Sequence, residues 1–157
     1  MSKICCFTGH RTIRNIKPSV LAERLENTLV NLIENEGVAD FRAGGAMGFD
    51  TVAATYVLKM KMKYPQIKLH LILPYKNQDK YFSNADKQVY KYVLDNADSV
   101  HYVNEKYTNS ALFARNRELV NGADFCVAFL NKQSGGTYYT VNYARKNKLQ
   151  VINVAKP

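Results

Sequence analysis

The sequence predicts an α/β fold: a Rossmann-like, doubly wound, mostly parallel sheet of about six strands with helices on both faces. Three observations carry this. Short apolar runs alternate with stretches of helical periodicity along the whole chain, in the order β-α-β-α-β-α-β-α-β-α-β. Three glycine-bearing turns, Thr8-Gly9-His10-Arg11, Gly44-Gly45-Ala46-Met47-Gly48-Phe49-Asp50 and Ser134-Gly135-Gly136-Thr137-Tyr138-Tyr139-Thr140, each follow an apolar run and precede a helical segment. No linker, internal repeat or low-complexity run breaks the alternation, so residues 1–157 read as one domain, long enough for a full core. Short connections and right-handed crossovers then favour the doubly wound sandwich.

The elements follow in order. Ile4–Thr8 reads as a short buried strand. Pro18-Ser19 opens a helix, since proline suits the first turn and serine can cap. Leu21, Leu25, Leu29, Leu32 and Ile33 give it one apolar face, and Gly37 can end it. Val38–Ala43 is a weaker strand, interrupted by Asp40 and Arg42. A helix from Thr51 to Met62 places Val52, Ala53, Tyr56, Val57 and Met60 on one face, and Pro65 breaks it. Ile67–Leu73 is a clear strand, stopped by Pro74. After a polar stretch from Tyr75 to Ser83, a helix runs through Val89, Val93 and Leu94, followed by a short strand at Val100–Val103. Asn109-Ser110 can cap a helix through Leu112, Phe113, Leu119 and Val120 that Gly122 closes. Phe125–Leu130 is the most apolar strand, Gly136-Thr137 opens a last helix ending near Lys146, and Val151–Val154 is the last strand.

Composition narrows the class. A hydrophobic fraction of 46% with 22% charged residues is ordinary for a water-soluble globular chain. No apolar run approaches the roughly 20 residues that span a bilayer. Met1-Ser2-Lys3 leads straight into the first apolar run, so no signal peptide and no membrane partner are expected. Three cysteines, two of them adjacent in a strand, exclude a disulfide framework and lack metal-ligand spacing. Reduced, buried thiols suit the cytoplasm. The formal charge of +9 favours an anionic partner, a nucleotide or nucleic acid. The lysines at 59, 61 and 63 and the Arg145, Lys146, Lys148 group fall at helix C-termini, where cations also suit the macrodipole.

In a doubly wound sheet, ligands sit beyond the carboxyl ends of the strands, where all three glycine turns fall. Helix starts there offer free N–H groups to phosphate. Gly9 permits a sharp turn, and Arg11 can pair bidentately with a phosphate. Three glycines in the second turn resemble a phosphate cradle, although the spacing matches neither the dinucleotide fingerprint nor a P-loop. Asp50, in the first helical turn, reads either as a ribose acceptor or as a cap. Gly135, Gly136 and Thr137 form an anion nest. Arg115 and Arg117 cannot share a helix face, and Arg115 is chosen as the one turned to the ligand edge. His10 lacks Cys or carboxylate partners at ligand spacing, so no metal is expected. Of eleven tyrosines, Tyr64, Tyr75, Tyr81, Tyr138 and Tyr139 lie near turns or helix starts, available for base stacking or interface packing.

Cys6-Phe7-Thr8-Gly9-His10-Arg11, the Gly44–Asp50 turn, Leu73-Pro74-Tyr75, Ala114-Arg115-Asn116 and the Gly135–Thr140 turn together resemble the SLOG superfamily, most of all its small bacterial YpsA-like branch. The resemblance spans nearly the whole chain in the right order. The superfamily also holds the LOG phosphoribohydrolases and the DprA DNA-processing proteins. The resemblance implies binding, as sensing or sequestration, of a phosphorylated nucleoside or ADP-ribose-type ligand, with no other cofactor and with homo-oligomerisation. Gly9, Gly44, Gly45, Gly48, Gly135, Gly136 and Thr137 would cradle phosphate, and Arg11 and Arg115 would pair with it. Asp50 and Thr140 would contact ribose, with His10, Met47 and Asn116 completing the set. LOG enzymes carry Pro-Gly-Gly-x-Gly-Thr-x-x-Glu with a catalytic glutamate. Here the proline is absent, the loop is longer, and Thr140 stands at the glutamate position. Threonine cannot serve as a base at neutral pH, so binding is favoured over cleavage. Asp50 and Arg115 are the catalytic candidates if a LOG-like phosphoribohydrolase is present after all. DprA-like nucleic-acid binding is the third reading.

Overall fold

Six strands and five helices alternate: β1 (Lys3–Gly9), α1 (Pro18–Glu34), β2 (Val38–Ala43), α2 (Phe49–Lys61), β3 (Lys68–Leu73), α3 (Asn84–Asn96), β4 (Ser99–Tyr102), α4 (Asn109–Val120), β5 (Phe125–Phe129), α5 (Gly135–Lys146) and β6 (Gln150–Asn153). The computed structural model describes residues 2–157; Met1, the start of the segment read above for a leader, lies outside the described residues. All neighbouring strands are parallel, in the order β4-β3-β2-β1-β5-β6. The chain therefore winds outward from β1 in one direction and from β5 in the other. The carboxyl ends of β1 and β5 flank the switch point, where a crevice opens.

Strand alternation divides the core in two. On β1, Cys5 and Phe7 face a large core that includes Leu25, Leu29 and Leu32 of α1, Phe49 and Val57 of α2, and Tyr90 and Val93 of α3. Cys6 faces the other way, with Cys126 and Ala128 of β5, against Leu119 and Val120 of α4 and Val141 and Ala144 of α5. This second core is the smaller of the two. Cys6 stands opposite Cys126 in the ladder, all three cysteines are free, and all are fully buried.

Several boundaries differ from expectation. Helix α2 begins at Phe49, because the Phe49 ring fits beneath Gly9 and its N–H bonds to the His10 carbonyl at 3.2 Å. Helix α4 is capped by Thr108, whose hydroxyl accepts the Ala111 N–H at 3.1 Å, rather than by Asn109 or Ser110. Its buried face is Ala111, Arg115, Leu119 and Val120, leaving Leu112 half-buried and Phe113 exposed. β2 is a full interior strand despite its polar residues. Arg42 donates to the carbonyls of Glu118, Leu119 and Asn121, closing the C-terminus of α4, and Asp40 accepts from His70 Nε2 at 2.7 Å. Among the described residues, no helix is long and apolar enough to cross a membrane.

Candidate functional site

A cleft of about 670 Å³ lies over the carboxyl ends of β1 and β5, at the switch point. One wall is the β1–α1 turn, with Thr8, Gly9, His10, Arg11, Thr12 and Arg14. Ala46 and Asp50 form its base, α4 contributes Leu112, Phe113, Arg115, Asn116 and Leu119, and the β5–α5 turn closes it with Asn131, Lys132, Gly135, Gly136 and Thr137.

Arg115 is the least ordinary residue here. It follows Ala111 and precedes Leu119 on the inward stripe of α4, so the helix carries a guanidinium into the molecule with only 6% exposure. Its Nη1 donates to the Gly44 carbonyl, and its Nε donates to Asn116 Oδ1 at 2.9 Å. Two of the five N–H donors are thus used, and three have no partner among the described residues. Burial lowers its pKa, the Asp50 carboxylate opposes that fall, and the Arg11 charge adds to it.

Asp50 sits across from it, 5% exposed, in the first turn of α2. The ion pairs among the described residues lie elsewhere, so Asp50 and Arg115 interact through space without a direct bridge. Burial pushes the Asp50 carboxyl up to about 6, against the pull of Arg115, the Ala46 N–H and Arg11. Its Oδ1 is buried and accepts no hydrogen bond among the described residues. Such an atom leaves a desolvation cost of about 1–3 kcal/mol uncompensated, which a donor entering the cleft would offset.

His10 is held neutral. Its Nε2 accepts the Asn131 N–H at 3.1 Å, so the proton resides on Nδ1. Burial lowers its pKa, and the nearby Lys132 lowers it further. The ring stands edge-on to Phe129, centroids 6.1 Å apart. Helix α5, which opens on the cleft after β5, has Ser134 at its N-cap with no side-chain cap bond, and α2 has Gly48 at its N-cap, likewise without one. Helix α3, by contrast, is capped by the Ser83 hydroxyl.

The cleft thus brings together Gly9, His10, Arg11, Asp50, Arg115, Asn116, Gly135, Gly136 and Thr137 of the expected set. Gly44, Gly45, Met47, Gly48 and Thr140 do not line it. Gly44 stands behind, where a Cβ would strike Arg115 and touch Asp50. Gly45 packs toward Leu73 and Gln78. Gly48, at φ +80, packs against the backbone oxygens of Arg11 and His10 and locks two loops together. Thr140 is fully buried in α5 and its hydroxyl donates to the Gly136 carbonyl at 2.8 Å. Sequence reading missed Arg14 and Lys132, both exposed on cleft loops. Their signal was position: each lies within a few residues of a strand's carboxyl end.

A family model described as the YspA SLOG family matches residues 5–154. The uncharacterized SPbeta prophage-derived protein YoqJ of Bacillus subtilis is 30% identical over 141 residues, covering 82% of each chain. A UPF0398 protein of Halalkalibacterium halodurans is 31% identical over 145 residues, covering 90% of this chain and 74% of that one. Among solved structures, DNA processing protein A (DprA) of Streptococcus pneumoniae superposes with a TM-score of 0.65 at 16% identity, over 96% of this chain and 49% of that one. DNA processing protein A of Helicobacter pylori, a protein with a described single-stranded DNA binding mode, superposes with a TM-score of 0.63 at 18% identity, over 95% of this chain and 63% of that one. These likenesses establish a shared fold, and the chain spans only about half to two thirds of those two proteins.

Proposed function

The chain belongs to the YspA SLOG family, and on that premise we propose that its cleft binds a phosphorylated nucleoside or ADP-ribose-type molecule, as a cytoplasmic receptor or store. The observation that carries this is the charge balance of the cleft. Arg11, Arg14, Arg115 and Lys132 line the cleft against one carboxylate, Asp50. A buried arginine with three free N–H groups suits a phosphate, which takes paired, charge-assisted bonds. The uncapped start of α5 adds backbone N–H groups on the same side. Asp50 Oδ1, unpartnered and buried, suits a ribose hydroxyl.

The test is a thermal-shift and calorimetric screen against nucleoside monophosphates, NAD and ADP-ribose, with product analysis of each hit. A ligand at one hundred times its Kd stabilises the fold by about 2.7 kcal/mol. Arg115→Ala is expected to lose the hit. No shift with any nucleotide overturns the reading.

Two other readings have an observation behind them. Asp50, with its carboxyl pushed up to about 6, suits a general base near neutral pH, which would make the protein an N-glycosidase. Free base among the products, abolished in Asp50→Asn, would establish it. The likeness to DprA and the charge of +9 favour nucleic acid. That reading requires affinity that rises with strand length and falls steeply with salt, as condensed counterions are released. Homo-oligomerisation is tested by light scattering in the same screen.

A further inference from the structure

Outside the cleft, a row of aromatic rings leads away from it along α4 and α5. Phe113, 45% exposed, lines the cleft mouth. The Tyr139 ring meets it edge-to-face, centroids 5.1 Å apart at 82°, and Tyr143 lies nearly parallel to Tyr139, 6.3 Å away at 13°. Tyr139 and Tyr143, with Tyr138 and Lys146, line an open groove of about 530 Å³, and Gly135 belongs to both groove and cleft. The rings are fixed before anything binds: Arg117 Nη1 donates to Tyr139 Oη at 3.2 Å, and Tyr143 Oη donates to Asn121 Oδ1 at 2.8 Å. No carboxylate lines the groove.

We infer that this groove is a base-stacking subsite, and that the ligand of the cleft is a dinucleotide: two ring systems joined through phosphate. The inference rests on the cleft binding a phosphorylated nucleoside, as proposed above. The groove is shallow and carried by one face of α5, so it offers a base ring faces to stack on rather than an enclosure, and it is continuous with the cleft at Gly135. A phosphate bridge between the two rings crosses the uncapped start of α5 at the shared Gly135, where backbone N–H groups and the cations of the cleft meet it, while Lys146 stands at the far end of the groove, about 16 Å along α5. Rings already immobilised lose little entropy when a base stacks on them.

The experiment is calorimetric titration of the full chain with 5′-AMP and with the 5′-phosphorylated diadenylate pApA, in wild type, Tyr139→Ala and Tyr139→Phe, with circular dichroism to establish folding. In wild type, pApA is expected to bind about tenfold more tightly than AMP, within the range that stacking on an aromatic ring contributes. Tyr139→Ala erases that advantage and leaves AMP affinity unchanged, and Tyr139→Phe retains it. Equal affinities in wild type, or an advantage that survives Tyr139→Ala, overturn the inference while leaving the cleft reading intact. Affinity that keeps rising through longer oligonucleotides overturns it in favour of a strand-binding track. A dimer that Tyr139→Ala dissociates, seen by sedimentation, overturns it in favour of a second copy on this face. If AMP and pApA both fail to bind wild type, the cleft reading falls and takes the inference with it.

Discussion

Replacing Asp50 with asparagine isolates the electrostatic character of the cleft. In the folded chain burial pushes the carboxyl up to about 6 from its ordinary 3.8. The raised value means that the fold disfavours the charged form. Below 3.8 the group is protonated in both states and costs nothing. Between 3.8 and 6 the native state holds a proton that the unfolded state has released, so stability falls as pH rises. Above 6 the loss is complete. Two pH units at about 1.4 kcal/mol each give about 3 kcal/mol. Asparagine has nearly the same shape and cannot ionise, so this loss is absent in the variant. The assay is urea unfolding of both proteins from pH 4 to pH 8. The stability difference, variant minus wild type, is expected to grow by about 2 kcal/mol in favour of the variant between pH 4 and pH 7. Subtracting the two curves removes every other titrating group. Parallel curves across that range would refute the argument, because they would mean that Arg115, Arg11 and the Ala46 N–H offset the burial of the charge completely.

Other outcomes follow from the same geometry. Gly37 and Gly48 both have positive φ, +74 and +80, but only Gly48 is crowded, by Arg11 and His10 carbonyls. Alanine at 37 is expected to destabilise by about 1 kcal/mol and alanine at 48 by about 3 kcal/mol or more, read from urea midpoints. Thr140→Glu, which restores the LOG-type residue, places a carboxylate at a fully buried position that does not line the cleft. It should lower the melting temperature sharply, by a loss of about 3 kcal/mol or more, and confer no base release. The Cys5 and Cys6 thiols have pKa values raised well above the ordinary range, Cys5 chiefly by burial and Cys6 chiefly by its hydrogen bond with Cys126, then by burial. Ellman's reagent should therefore leave the native protein unmodified and titrate all three cysteines only in denaturant.

The fold was largely legible because its signals are local and periodic. The alternation of Cys5, Cys6 and Phe7 between two cores is a strand pattern, and Leu21 to Ile33 is a helix pattern. What the sequence hid were residues whose partners lie far along the chain. Arg42 and Asp40 look like flaws in a strand until α4 and β3 supply the groups they bond. Arg115 was legible as a residue of the ligand edge, but its burial was not: the Gly44 carbonyl, 71 residues away, and the Asp50 carboxylate face it only in the fold. Phe113 shows the converse, an apolar side chain left exposed at the cleft mouth. The glycine turns fall at the edge of the sheet where the cleft opens. They did not reveal which glycines face the cleft and which make room for neighbours. Gly9 reads as a turn residue, but the space it leaves is also taken by Phe49, and no spacing rule within a single turn carries that information.

The fastening of the β1–α1 and β2–α2 loops has a kinetic consequence. The His10 carbonyl accepts the first N–H of α2, and Gly48 lies flat against Arg11. Neither loop opens without breaking the start of α2, whose Phe49 is anchored in the larger core. Amide exchange should report these two loops as one slowly opening unit. Lys132 to Ser134, exposed between Asn131, which is bonded to His10 and Arg14, and the start of α5, should exchange faster than either loop. If the cleft binds a ligand as proposed, substitutions in the 132–136 turn should change its rates of association and release with little effect on stability, whereas those at 9 and 48 should first destabilise the fold.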